Sequence, residues 1–307
     1  MAALATREKK YKSLTHSNFW GFFFIMPTLL GLLIFYFGPM IFSLVISFFQ
    51  WEVVVDPKYI GFNNYVTMFT DDELVGKALL VTLYYTGLTV PLMNVVSLFI
   101  ASMLNTKIRG KSFFRTISYI PSIVPAVASA ALWMYMFNPT FGFFNTVLGW
   151  FSIDPQLWIY DTDLVIPSLA IMAVWGAGNT VIIYLAGLQG VPNHLYESVD
   201  IDGGNAFHKF FHITLPIMSP IIFFNVVMNI ISCMQTFTQG YIMTEGGPAN
   251  ASLFYVLLLY RNAFKYQKMG YASAMAWLLF AIIAVLTFIN FKSSKLWVFQ
   301  IGGEDNQ

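Results

Sequence analysis

The chain has 307 residues, of which 57% are hydrophobic, 18% are aromatic and only 10% are charged. A soluble domain carries about 25% charged residues because its surface must face water, so this composition excludes an ordinary water-soluble globule and indicates an integral membrane protein. The net charge of +1 provides no electrostatic attraction to nucleic acid, and the single cysteine excludes an intrachain disulfide framework.

Six long uncharged stretches predict an all-α membrane protein with six transmembrane helices, because each exceeds the roughly 20 apolar residues that cross a bilayer. Helices are expected because lipid offers no partner for backbone polar groups, and the alternation typical of membrane β-barrel strands is absent. The first span contains Pro27 and Gly38-Pro39, so it is expected to kink or tilt rather than divide in two. The predicted spans are Phe22–Phe48, Leu79–Leu104, Ile117–Phe137, Leu164–Leu188, Ile217–Phe237 and Gly270–Phe291.

The distribution of Lys and Arg predicts the orientation of these spans. With six spans, both termini and the second and fourth loops lie on one side, which carries eleven Lys and Arg residues against five on the other. The positive-inside rule therefore places both termini in the cytoplasm. Residues 1–18 would form one cytoplasmic tail, residues 19–292 the transmembrane domain and residues 293–307 a second cytoplasmic tail. The eleven are Arg7, Lys9, Lys10, Lys12, Lys107, Arg109, Lys111, Arg115, Lys209, Lys292 and Lys295.

The fourth predicted span carries a cluster of small, polar and aromatic residues. Glycines let neighbouring backbones approach, and Asn179 offers donors and acceptors to the hydroxyl groups of a solute. Aromatic rings suit the apolar face of such a solute, although simple packing is the alternative for Trp175. The candidates in this span are Trp175, Gly176, Asn179 and Tyr184.

The sequence between the fourth and fifth spans predicts a bent element over residues 192–216, which we call the elbow. Pro192-Asn193 has the chemistry of a helix start, since Asn can cap a helix and Pro is tolerated in its first turn. Gly203-Gly204 predicts the end of this helix, because Gly readily adopts the left-handed conformation. A second short amphipathic segment, Ala206–Ile213, leads into the fifth span. Composition alone favours an ordinary solvated loop.

The spacing within the elbow closely resembles the EAA loop of the membrane subunits of binding-protein-dependent ABC importers, written E-A-A-x-x-x-G-x9-I-x-L-P. Ser198 and Val199 replace the two alanines. This resemblance implies that the elbow is a coupling helix for a separate ATP-hydrolysing subunit, with Glu197 and Asp202 as acidic contacts and Gly203 at the bend. The residues in register with the motif are Glu197, Gly203, Ile213, Leu215 and Pro216.

Further segments are similar to carbohydrate-uptake permeases, on the MalF/UgpA-like side of that family. The resemblance runs from about residue 20 to residue 292 and implies the fold of a type I ABC importer in a bacterial inner membrane. The segments are Phe37–Pro39, Ser47–Trp51, Gly61–Tyr65, Thr244–Ser252, Tyr260–Phe264 and Gly270–Ala274.

The family implies that a sugar crosses between two permease subunits, and the fifth span offers a polar stripe for it. Polar residues recur there at steps of three or four and therefore share one helical face. Bare amides facing lipid are costly, so the stripe should face protein or a water-filled path; interhelical hydrogen bonding is the alternative. The stripe consists of Asn225, Asn229, Ser232, Cys233 and Thr236. No charge lies inside a predicted span, which favours a neutral solute.

The resemblance also implies the partners: a second permease subunit in a heterodimer, two ATP-binding subunits, an extracellular solute-binding protein that delivers an oligosaccharide, and membrane lipid. No nucleophile–base pair or metal-ligand cluster is visible, so no enzymatic activity, metal or cofactor is expected in this chain, with ATP and Mg held by the partner subunits. One alternative is a permease for another neutral or phosphorylated polyol, such as glycerol phosphate. The other is a stand-alone secondary transporter, although the inverted repeats and intramembrane ionisable groups common in that class are absent.

Overall fold

The computed structural model describes residues 19–106 and 109–299. Within these ranges the chain is mostly helical, with a small antiparallel hairpin of β1 (Phe49–Gln50) and β2 (Lys58–Tyr59). The predicted N-terminal tail, with Arg7, Lys9, Lys10 and Lys12, lies outside the described residues, as do Lys107 and residues 300–307. The helices are α1 (Phe19–Ile46), α2 (Asn63–Thr70), α3 (Glu73–Asn105), α4 (Lys111–Ile123), α5 (Ala126–Met136), α6 (Phe143–Trp150), α7 (Val165–Trp175), α8 (Gly178–Gln189), α9 (Asn193–Ile201), α10 (Ala206–Met234), α11 (Tyr255–Tyr260) and α12 (Met269–Trp297).

The predicted spans all correspond to helices long and apolar enough to cross a membrane. Four of these helices stand alone, namely α1, α3, α10 and α12, and two are bent pairs, α4–α5 and α7–α8. Counting each bent pair as one span gives six, as predicted. The first span is a single helix as expected, and a π-helical turn at Leu33–Phe37 directly precedes Gly38-Pro39.

The third predicted span, Ile117–Phe137, is not one continuous helix. It corresponds to α4 and α5, which are bent by 101° at a short break. Pro125 explains the break, because it has no N–H to donate and because it favours an extended conformation at Val124, where ψ is 129°. In addition, α4 begins at Lys111, so Lys111 and Arg115, which the sequence assigned to a loop, belong to this helix.

Two other span boundaries also differ from the prediction. The fourth span is divided by a 50° bend between α7 and α8. Helix α7 ends at Trp175, and Gly176 is its C-cap residue. The last helix continues beyond the predicted Gly270–Phe291 to Trp297. Just after it, the Phe299 N–H donates a hydrogen bond to the Ser219 hydroxyl at 2.7 Å.

Within the described residues, one compact unit contains residues 19–66 together with Asn262–Trp277. Its centre is the hairpin, which is held by Asn64, whose amide donates to the backbone oxygens of Ser47 and Phe49 at 2.8 and 3.0 Å. The helix α1 of this unit has no buried residue in its most apolar stretch. Its surface is therefore available to lipid or to another protein.

The second unit contains the described residues of Thr67–Arg261 together with residues 278–299. Its core is built where α3, α8 and α10 meet, and the buried residues there include Ala101, Tyr184, Leu188 and Met218. These small and apolar side chains let three long helices pack closely, as in other membrane bundles. The elbow and both cavities described below belong to this unit.

Candidate functional site

The elbow has the bend that the glycine pair predicts. Helix α9 ends at Ile201, Gly203 adopts a left-handed conformation with φ +75°, and the Gly204 N–H donates to the Val199 carbonyl at 2.8 Å. A Cβ atom on Gly204 would lie 2.4 Å from Val199 Cγ1. The first glycine is thus required by backbone conformation, and the second by space.

Contacts between its two arms fix the shape of the elbow. Asp200 and Lys209 form a salt bridge of 2.5 Å across the bend. The hydroxyls of Tyr196 and Thr214 lie 3.0 Å apart and share a hydrogen bond. Tyr196 and Ile213 also pack against the core of the unit, so the elbow is attached to the helix bundle that it leaves.

The second arm of the elbow is not a separate short helix. Ala206–Ile213, predicted as a segment that leads into the fifth span, is the first part of the continuous helix α10. A π-helical turn, Phe210–Thr214, joins the two parts without a break, and Leu215-Pro216 follows within the same helix. A displacement of the elbow would therefore be passed directly to the transmembrane part of α10.

The outer face of the elbow carries unusually exposed apolar side chains. Ile201 is 86% exposed and Phe207 is 74% exposed, and the acidic residues Glu197 and Asp202 are exposed beside them. Ser198 is exposed as well, and its hydroxyl donates to a backbone carbonyl of its own helix. Ile201 and Phe207 are not among the residues predicted from the sequence, although large apolar residues among charged neighbours are a signal of a contact surface.

A cavity of about 230 Å³, which we call the central cavity, brings together part of the predicted solute path. It lies where the breaks of both bent pairs face α3 and the end of α10. Five of the nine candidates line it: Trp175, Gly176, Ser232, Cys233 and Thr236. The sequence analysis did not identify its other polar lining residues, which are Tyr85, Ser122, Ser129 and Gln239.

The remaining candidates lie outside the central cavity. Asn225 and Asn229 are buried within the bundle, and the Asn225 amide donates to a carbonyl of its own helix at 3.1 Å. Tyr184 is fully buried, and its hydroxyl donates to Asn94 Oδ1 at 2.5 Å, which is a hydrogen bond between helices. Asn179 is exposed but does not line the cavity. The polar stripe thus has two parts. Asn225 and Asn229 are buried within the bundle, whereas Ser232, Cys233 and Thr236 line the central cavity.

The lining of the central cavity is polar but uncharged. Hydroxyl and amide groups alternate with apolar side chains, and no Asp, Glu, Lys or Arg lines it. Trp175 lies at its rim, partly exposed, with its ring 5.7 Å from that of Trp133 in an edge-to-face arrangement. This combination can bind hydroxyl groups through hydrogen bonds and an apolar ring face through the aromatic surface.

Comparisons with known proteins agree on one family. Residues 93–293 match the family described as binding-protein-dependent transport system inner membrane component. The chain is 42% identical to the "Probable ABC transporter permease protein YesP" of Bacillus subtilis (strain 168), over 94% of this chain and 95% of that protein. It is 31% identical to the "Multiple sugar-binding transport system permease protein MsmF" of Streptococcus mutans, over 91% of this chain and 96% of that protein.

A solved structure has the same fold. It is a chain of a bacterial ABC transporter involved in the import of the acidic polysaccharide alginate, with a TM-score of 0.81 and 23% identity. The match covers 94% of this chain and 98% of that chain. The two chains therefore share the same helical fold.

Proposed function

The chain belongs to the family of inner membrane components of binding-protein-dependent transport systems, and from this premise we propose that it forms half of the sugar path in an ATP-driven ABC importer. The names of the relatives support this proposal, since one is an ABC transporter permease and another serves a multiple-sugar system. The chain itself would translocate without catalysing a reaction. ATP and Mg would be bound by separate subunits.

The central cavity supports a path shared with a second, related permease. Its volume of about 230 Å³ is below the range of about 300–1,000 Å³ typical of small-molecule sites. Trp175 and Ser232 on its lining are exposed, so a second subunit could complete the site from that side. The polar, uncharged lining suits the hydroxyl groups of an oligosaccharide that an extracellular binding protein delivers.

The geometry of the elbow is the main observation that supports coupling to a separate ATP-hydrolysing subunit. Its arms are joined to each other by Asp200–Lys209 and to the bundle through Tyr196, while Ile201 and Phe207 remain exposed. A rigid projection with an apolar tip and acidic neighbours suits docking into a cleft of a partner protein. With both termini in the cytoplasm, this partner would be the ATP-hydrolysing subunit.

The continuous helix α10 provides the mechanical link between ATP and the solute path. It begins within the elbow and ends beside the central cavity, where Ser232 and Cys233 form part of the lining. When the ATP-binding subunits close, they would pull the elbow, and α10 would transmit the displacement to the cavity. The path would then change from inward-facing to outward-facing and accept a sugar from the binding protein.

Co-purification and uptake test this function directly. Removal of the acidic contact by Glu197→Ala should lower ATP-driven sugar uptake about tenfold, because a hydrogen bond to a charged group contributes about 1.5–3 kcal/mol. Sugar binding to the external protein should not change. Asp154→Ala, which removes an exposed carboxylate from a predicted outer loop, is the matched control. Wild-type uptake by the Glu197 variant, or the absence of ATPase subunits from the purified wild-type complex, would contradict the proposal.

A further inference from the structure

A second cavity, of about 400 Å³, lies between α4 and α8 and has no role in the function proposed above. Its volume falls within the range of about 300–1,000 Å³ that small-molecule sites usually occupy. Its lining is mostly apolar, with a small number of polar side chains that could fix the orientation of a ligand. We call it the Arg115 cavity, after the cation in its wall.

The Arg115 cavity is a neighbour of the central cavity. On one segment, Ser122 lines the central cavity and the next residue, Ile123, lines the Arg115 cavity. On the other segment, Gly176 lines the central cavity and Gly178, two residues further on, lines the Arg115 cavity. Between them α4 and α8 touch, because a Cβ atom on Gly178 would lie only 2.6 Å from a backbone oxygen of α4. At its other end the Arg115 cavity reaches Gln189, directly before the elbow. A solute that passes this contact would therefore move from the central cavity toward the elbow side.

Arg115 is the unusual feature of this cavity. Its side chain is exposed, no Asp or Glu lines the cavity, and none of the ion pairs in the described ranges includes it. A guanidinium group is permanently charged, and its planar fork matches the two oxygens of a carboxylate or phosphate. An unneutralised Arg in a concave wall is thus ready to bind an anionic group.

The other polar groups of this cavity suit the uncharged part of a sugar. The hydroxyls of Thr116 and Ser118 donate to carbonyls of their own helix at 3.0 and 2.9 Å, so their oxygens remain able to accept hydrogen bonds from a solute. The Gln189 amide offers both donors and an acceptor, and the Tyr119 ring provides an apolar face.

We propose that the Arg115 cavity is a second sugar site, on the elbow side of the path, which binds a sugar carrying a carboxylate or phosphate through Arg115. This inference rests on the proposed function, because only a translocation path passes a solute from one cavity to the next. It revises the expectation of a neutral solute. That expectation placed Arg115 in a loop before Ile117, whereas α4 begins at Lys111 and holds Arg115 in the cavity wall.

Thiol protection in the intact transporter tests this site without requiring the external binding protein. The variant Ala186→Cys places a thiol in the cavity wall at a residue with no assigned polar contact. The natural Cys233 is 4% exposed, so the chain without the new thiol gives the background rate. The complex is purified in phosphatidylcholine nanodiscs and treated with a methanethiosulfonate reagent. The probes are digalacturonate, its carboxyl-reduced neutral counterpart, and galactose 6-phosphate.

We expect an anionic probe to slow labelling of the new thiol, and the neutral counterpart to have little effect. Adding Arg115→Gln should raise the concentration needed for protection about tenfold, because the charge-assisted bonds are lost. The matched control Lys111→Gln removes the same charge from the same helix, but Lys111 does not line the cavity, so protection should persist. Preference between digalacturonate and galactose 6-phosphate decides which anion is bound.

Several results would overturn this proposal. These are equal protection by the neutral and anionic sugars, unchanged protection in the Arg115 variant, and protection by neither anionic probe. A parallel preparation in nanodiscs that contain phosphatidylglycerol tests a lipid headgroup, and protection by that lipid but by neither anionic sugar would assign the cavity to a lipid instead. The proposed function is judged separately, by ATPase co-purification and ATP-driven uptake, so a transporter that passes those tests but shows no anion preference refutes only the second site.

Discussion

Replacing Gly203 by alanine tests whether the bend of the elbow is needed for coupling. The backbone of Gly203 has φ +75°, and a Cβ atom there would meet nothing within 4 Å. The substitution therefore adds conformational strain without a steric clash. A left-handed non-glycine residue costs roughly 1–2 kcal/mol, which lowers the population of the bent elbow by a factor of about 5–30.

The assay is the titration of purified ATP-hydrolysing subunits onto the membrane complex, together with ATP-driven sugar uptake. We expect the docking affinity to fall about 5–30-fold with Gly203→Ala, and to fall less with Gly203→Asn, because Asn tolerates the left-handed conformation better. Gly110→Ala is a matched control. Gly110 also has a left-handed backbone, φ +77°, with nothing within 4 Å of a Cβ atom, but it lies in a different loop.

Two outcomes would refute this reasoning. If Gly203→Ala docks with wild-type affinity, the bend is not required for the interface. If Gly203→Ala and Gly110→Ala lower docking and uptake equally, the loss reflects general strain in the loops rather than the shape of the elbow.

Two further substitutions test the packing of the bundle. Gly178→Ala forces a Cβ atom against the backbone of α4 and should destabilise the protein by about 1–3 kcal/mol, measured as a lower Tm in detergent. The control Gly76→Ala, with open space around it in α3, should keep or raise the Tm. Tyr184→Phe leaves the buried Asn94 oxygen without its donor and should cost about 1–3 kcal/mol, while Tyr84→Phe on the exposed face of α3 should cost little. An unchanged Tm for Gly178→Ala would show that the helices can separate at this contact, and an unchanged Tm for Tyr184→Phe would show that the buried hydrogen bond contributes nothing.

The elbow is the part of the site that local chemistry predicts best. Its helix start, its glycine bend and its exposed acidic residues depend on neighbours in the sequence, so the spacing from Glu197 to Pro216 carries the information. The contacts across the bend were not predicted, because Asp200 and Lys209 meet only after the chain has turned. The continuity of α10 was also missed, because Leu215-Pro216 was interpreted as a junction between two segments.

The sequence could not predict which candidate residues line the central cavity, because helical periodicity identifies a face but not what that face meets. Tyr184 and Asn229 share polar character with Thr236, yet only Thr236 lines the central cavity. Tyr184 instead bonds to Asn94, a residue 90 positions away in the chain. No local pattern in the sequence distinguishes these cases.

Local properties of the chain predict the membrane location, the approximate positions of the spans and the bent elbow. These features follow from the length of apolar chain that a bilayer requires and from the backbone freedom of glycine, both of which are local. The bends of the spans, the polar residues that face a cavity and the position of Arg115 in a cavity wall are visible only in the folded protein. Those properties depend on contacts between helices far apart in the chain, and such contacts exist only once the bundle has packed.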